Sequence, residues 1–433
     1  MKRSLAAVVG VTAAISLVLT GCGGGDDDKS ASGPITLTLA GWSFATTPEF
    51  KTLADGFHAA HPDVTVQLKE YDAANYDTQM VADLAAGKGP DIYPQKTLKN
   101  FYTYQNGKQL LDVSDVASGL GDKVGGMANY QVDGKTYAIP YRQDSWVLYY
   151  NKALFQKAGV KAPDGSWTWD EYAAASKDLT TKLKAAGSKA VGDYEHIWQS
   201  TVQGFALAQT QGASIESGDF GYLKPYYTRV VDLQNAGAQV KFGDVTTNNL
   251  TYQAQFGKQQ AAMMLMGSWF IATLRKQQGT GDADKFDWGI APAPQLTKAT
   301  TGRSATPVTF GDPTGLGINP KIGKNKVSAA KAFLSYAAGA DGAKSLAEIG
   351  ITPADTDAVK DSFFQLQGVP QDDLTKWTFA NHDTKPENPP GKYTAALQNI
   401  LNDLHTAVMS GSKDVDAAIT EAQTRAKNEV LNK

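Results

Sequence analysis

Between residues 35 and 68 the chain runs strand, helix, strand, and this order constrains the fold more than any other feature. Ile35 to Ala40 is a short apolar, β-branched run that reads as a strand. Gly41-Trp42-Ser43 breaks it. Thr47 and Pro48 then offer an N-cap and a first-turn proline, and Phe50, Leu53 and Phe57 keep helical spacing up to Ala60. His61-Pro62 ends that helix, and Val64 to Leu68 forms the next strand. A strand, a crossover helix and a second strand are the mark of a parallel sheet, because parallel neighbours cannot be joined by a short turn.

The alternation continues. Helices are expected near 75–86, 151–158, 169–185, 269–276, 328–338, 342–349 and 414–430, with Ser268 as a candidate N-cap for the fourth. Strands are expected at 91–93, 137–140, 146–150, 261–266, 288–290 and 315–318. The class is α/β throughout, and no internal repeat is visible. In open α/β sheets ligands sit beyond the carboxyl ends of the strands. That rule singles out Gly41-Trp42-Ser43, the segment after Tyr93, and Gly267-Ser268-Trp269.

The N-terminus carries a different signal. Lys2 and Arg3 precede a mostly apolar run from Leu5 to Leu19, ending in Leu19-Thr20-Gly21-Cys22. A basic head, a short apolar core and small residues before a cut site describe an export signal over residues 1–21. Cys22 is the only cysteine. The four residues ending in it resemble the lipobox of bacterial lipoproteins. That resemblance implies a lipidated Cys22 as first mature residue and a chain anchored outside the cytoplasm on the cell membrane. Residues 22–33 then form the lipidated cysteine and a flexible tether, since the small, polar and acidic run after Cys22 cannot bury a core. As a coil it reaches roughly 20 Å.

The whole chain carries −3 and the signal +2, which leaves about −5 on the remainder. A nucleic-acid binder needs a basic face, so that class is disfavoured. About 400 residues remain, enough for two domains. Eight tryptophans and eighteen tyrosines are present, several beside Gly, Ser, Asp or Pro rather than in apolar periodicity. Their flat faces and polar edges suit sugars, whose C–H faces are apolar and whose rims carry hydroxyls.

Several segments, taken in order, carry a family resemblance. They are His61-Pro62-Asp63-Val64-Thr65-Val66, Ala86-Gly87-Lys88-Gly89-Pro90-Asp91-Ile92, Asp133 to Pro140 followed by Leu148 to Lys152, Phe256 to Met264 with Gly267-Ser268-Trp269, and Ala417 to Thr424. Together they resemble the extracellular solute-binding proteins of bacterial ABC sugar importers, the maltose-binding-protein-like family. The resemblance covers nearly all of the mature chain. It implies a two-lobed periplasmic-binding-protein fold with a hinge and an interlobe ligand cleft. The N-terminal lobe would take residues 34–140 plus 287–339, and the C-terminal lobe 141–286 plus 340–433. It also implies that a sugar or oligosaccharide closes the lobes, that a membrane permease receives the ligand, and that the chain acts as a monomer without cofactor or catalysis.

The candidate ligand residues are Trp42, Gln95, Lys96, Arg142, Asp144, Trp198, Gly267, Ser268, Trp269, Asp312 and Tyr393. Trp42, Trp198 and Trp269 offer stacking faces, and the resemblance places Trp269, Asp144 and a late aromatic, Tyr393, at the ligand. Asp144 and Asp312 can each accept two hydroxyl hydrogen bonds. Arg142 either binds ligand, orients Asp144, or belongs to a hinge ion pair; Asp312 is equally a turn former. Trp167, Trp169 and Trp288 read as structural. His58 and His61 lack a third partner in the sequence for a metal site. Two further readings stay open: a lipid-anchored carbohydrate-active enzyme, which needs two carboxylates flanking a bound sugar, and a binder of a glycerol phosphate or peptide.

Overall fold

The computed structural model describes residues 33–359 and 363–433. The export signal, the lipidation expected at Cys22 and nearly all of the tether lie outside the described residues.

The first strand spans Ile35–Trp42 and pairs in parallel with Val64–Tyr71 over its full length, from Ile35 opposite Val64 to Trp42 opposite Tyr71. The helix between them, Glu49–Ala60, buries Phe50, Leu53 and Phe57, the residues whose spacing marks it in the sequence. Pro48, rather than Thr47, occupies its N-cap, and no side chain caps it. Ile92–Gln95 adds in parallel on the other side of the first strand. Pro313–Ile318 then runs antiparallel between Ile92–Gln95 and Ile139–Gln143. This five-stranded mixed sheet holds one hydrophobic core, around Leu37, Leu39, Ile92, Ile139, Phe333 and Leu334.

A second sheet of four strands has its own core. Trp146–Asn151 lies at its centre, antiparallel to Trp288–Ala291 and to Ala261–Gly267, and Val191–Tyr194 pairs in parallel with Ala261–Gly267. The run Ala261 to Gly267 is buried at every position, as a strand covered on both faces must be. Helix Trp169–Ala185 covers this sheet and opens with a complete capping box between Thr168 and Glu171.

The lobe boundaries read from the sequence shift accordingly. Strand Trp288–Ala291, expected in the first lobe, belongs to the second sheet. Helix Ala340–Ile349, expected in the second, packs on helix Glu49–Ala60, and Leu346, Ile351 and Ala354 join the first core. Tyr141 also lies in the first core. Local patterning reveals a strand but not the sheet that it joins. The chain crosses between the sheets at 143–146 and 310–313, and by Phe363 it is back in the second core. A two-stranded parallel ribbon, Val308–Phe310 with Asp383–Lys385, lies beside the crossing. Here Gly311 is required: an added Cβ would stand 2.0 Å from the main-chain oxygen of Asp144.

Candidate ligand cleft

Trp42 ends the first strand and is buried edge-on against Phe50 and Tyr76, each 5.0 Å away. Lys96 Nζ stands 5.2 Å from the centre of its indole and Arg142 Cζ 5.9 Å. Lys96 also donates to the carbonyl of Ala73. Its burial, with Arg142 close by, lowers its pKa against the pull of Asp77.

Arg142 is tied to three side chains of the chain itself. It pairs with Glu49, lies 3.2 Å from Asp144 Oδ2 through Nε, and donates from the same nitrogen to Thr314 Oγ1 at 3.2 Å. Tyr141 donates to the second oxygen of Glu49 at 3.2 Å. Burial raises the carboxyl pKa values of Glu49 and Asp144, and Arg142 opposes that rise in both. Asp144 accepts the Ser268 hydroxyl at 2.9 Å. The carboxylate expected to face a sugar is thus held by the hinge.

Ser268 is not a helix cap. The helix runs Phe270–Thr280 with Trp269 at its N-cap and no side-chain cap bond. The Ser268 hydroxyl instead serves Asp144 and receives the Ser145 N–H at 3.3 Å. Gly267 has a steric role, because a Cβ there would stand 1.9 Å from Cζ3 of Trp269. With that space empty, the Trp269 ring folds back over strand Ala261–Gly267 and packs on both cores. Trp146 meets it edge-on at 5.5 Å. Trp198 lies 6.5 Å away, tilted, and Tyr252 lies 5.6 Å from Trp198. Trp198 is 40% exposed, which is unusual for so large an apolar side chain.

Contacts therefore run without a break from Lys96 and Trp42 on the first sheet, through Arg142, Asp144 and Ser268 at the hinge, to Trp269 and Trp198 on the second. Three expected residues fall outside that line. Gln95 points into the face of the first sheet beside Leu110, because strand alternation directs it inward; its Nε2 lies 3.3 Å from where a Cβ on Gly317 would stand. Asp312 accepts from the N–H groups of Leu98, Glu387 and Asn388 at 2.9–3.1 Å and from the Asn388 side chain at 2.8 Å. It staples residue 98, by the first sheet, to 387–388, beyond the second crossing. Tyr393 packs on the edge of the second core and, among the described residues, has no ring contact or hydrogen bond to these tryptophans.

Sequence reasoning missed Glu49 and Tyr252. Glu49 reads as an ordinary first-turn acid, and its partner lies 93 positions away. Tyr252 looks like any residue that follows a capping threonine. Asp91 fastens Thr38 and Lys326.

Two α/β sheets with separate cores, joined by crossing strands and faced with aromatics at the junction, define a two-lobed periplasmic-binding-protein fold. A sugar transporter structure from Rhizobium etli, solved in an open conformation, superposes with a TM-score of 0.73 at 27% identity, over 91% of this chain and 99% of that one. A substrate-binding protein of Listeria monocytogenes in complex with cycloalternan gives 0.74 at 19% identity, over 91% and 99%, a likeness of fold. The chain belongs to the bacterial extracellular solute-binding protein family, which matches residues 43–344. The multiple sugar-binding protein of Streptococcus mutans is 24% identical over 396 residues, covering 88% of this chain and 87% of that one. The sn-glycerol-3-phosphate-binding periplasmic protein of Yersinia pestis is 30% identical over 191 residues, 40% of each chain. Binding proteins of Brucella abortus match at 27% identity over only 38% of their own length. Among the described residues no helix is long and apolar enough to cross a membrane.

Proposed function

We propose that this chain is the receptor of an ABC importer, that it captures a sugar or oligosaccharide between its lobes, and that it delivers the ligand to a membrane permease without chemical change. The observation that carries this reading is the group of Trp269, Trp198 and Tyr252 beside the hinge, with Trp198 40% exposed. An exposed indole beside a second indole offers a sugar's C–H face two apolar surfaces. The hinge supports closure, since Arg142 to Asp144, Asp144 to Ser268 and Leu98 to Asp312 fasten the chain beside the crossings. Cys22 would carry the lipid that keeps the receptor near its permease; the intact chain should be recovered with membranes, and Cys22→Ser should release it.

The direct test is calorimetric titration of the purified protein with mono- and oligosaccharides, looking both for heat and for chemical change in the sugar. Saturable binding with the sugar recovered intact is expected. Hydrolysis of the sugar would favour the enzyme reading instead.

A further inference from the structure

We propose that His196 offers an unprotonated Nε2 as hydrogen-bond acceptor to a ligand hydroxyl, so that the cleft favours a ligand that presents an O–H beside Trp198. The inference deepens the sugar reading above and rests on it.

The proton positions follow from the hydrogen-bond network. Tyr194 is fully buried at the end of strand Val191–Tyr194. Its hydroxyl lies 3.1 Å from the carbonyl oxygen of Leu250 and 3.0 Å from His196 Nδ1. A carbonyl only accepts, so the single phenolic proton belongs to Leu250. Were that proton turned to Nδ1 instead, two oxygens would face each other at 3.1 Å with no proton between them. Nδ1 therefore carries hydrogen and donates to the phenol. In a neutral imidazole this leaves Nε2 with a lone pair. Burial keeps the ring neutral by pulling the His196 pKa down to about 4.

Nε2 has no protein partner among the described residues, and it is not one of the atoms sealed from solvent. The ring carrying it stands edge-on to Trp198 at 4.5 Å and to Tyr252 at 5.3 Å. A sugar stacked on Trp198 would bring its hydroxyl rim to this nitrogen. A lone pair accepts an O–H. A site built around a hydroxyl discriminates strongly against ligands that cannot supply one.

The test combines a tautomer measurement with binding. In nitrogen-15 spectra of the ligand-free protein, His196 should show a bare Nε2 and a protonated Nδ1, and Tyr194→Phe should weaken that preference. Maltose, D-mannitol and sn-glycerol 3-phosphate are then titrated into the wild type and into His196→Phe, which keeps a flat ring and removes the acceptor. Whichever neutral probe binds should lose roughly 10-fold in affinity in the variant. A protonated Nε2 in the ligand-free protein overturns the inference whatever binds. sn-Glycerol 3-phosphate, whose hydroxyls can also reach Nε2, should lose affinity likewise if it binds. A neutral probe bound equally by wild type and variant overturns the role of His196 and leaves the sugar reading intact. Failure of every neutral sugar in a wide panel defeats the sugar reading itself.

Discussion

Arg142 Nε lies 3.2 Å from Asp144 Oδ2 with both side chains buried, and this pair joins the end of the first sheet to the start of the second. Asp144→Ala leaves Arg142 paired with Glu49 but removes its second carboxylate and the acceptor of Ser268, and should destabilise the protein by about 1–3 kcal/mol. Ser268→Ala, which deletes a single hydrogen bond to the same carboxylate, should cost about 1 kcal/mol. Urea unfolding measures both. A neutral result for Asp144→Ala would show that the pair does not hold the hinge.

Trp198 and Trp269 should separate binding from stability. Trp198 is 40% exposed, so Trp198→Ala should leave the unfolding midpoint nearly unchanged while weakening sugar binding by about 10-fold or more. Trp269 packs on both cores, and Trp269→Ala should lower binding and stability together, the latter by about 3 kcal/mol or more. Tryptophan fluorescence titration beside thermal unfolding distinguishes the two.

Two glycines are predicted to resist even a methyl group. At Gly311 the obstacle is main-chain oxygen, which cannot swing aside, so Gly311→Ala should cost about 1–3 kcal/mol at the hinge. At Gly267 the obstacle is the Trp269 ring. Gly267→Ala should displace that ring and reduce sugar affinity more than stability. Unfolding and calorimetry on the two variants supply the comparison.

Glu195 gives a pH prediction. Burial, reinforced by Asp193, holds its carboxyl up at about 8, against the ordinary 4.5. In the fold it keeps its proton up to that pH, whereas the unfolded chain loses it near 4.5. Folding therefore takes up a proton within this window, and the contribution to stability, complete below pH 4.5, is lost as pH rises towards 8. The slope for one group is at most roughly 1.4 kcal/mol per pH unit. Glu195→Gln should flatten that part of the stability profile, read as urea midpoints from pH 4.5 to 8.

What the sequence disclosed follows a physical line. The unit Ile35–Trp42, Glu49–Ala60, Val64–Tyr71 was legible because its period-2 and helical spacings are local and Pro62 follows the end of the helix, although the first strand runs on through Gly41, where the sequence suggested a break. The place of Trp269 between a strand and a helix was legible because Gly267 and Ser268 end the apolar run Ala261 to Met266. The commitment of Asp144 and Asp312 to the chain was not legible, since their donors come from positions up to 214 residues away. The sheet joined by Trp288–Ala291 was equally hidden, because antiparallel pairing with Trp146–Asn151 leaves no mark on either segment alone. The tautomer of His196 needed both Tyr194 and Leu250 in place.

The central claim is that the junction between the lobes binds a neutral sugar, and thermal unfolding against a panel of sugars, polyols, glycerol phosphates and short peptides tests it most directly. At a hundred times its dissociation constant a true ligand stabilises the fold by about 2.7 kcal/mol, a readable shift in midpoint. The account predicts such a shift with at least one neutral sugar or oligosaccharide, and its loss in Trp198→Ala. A clear shift with a phosphate ester or a peptide, and none with any sugar, would contradict it.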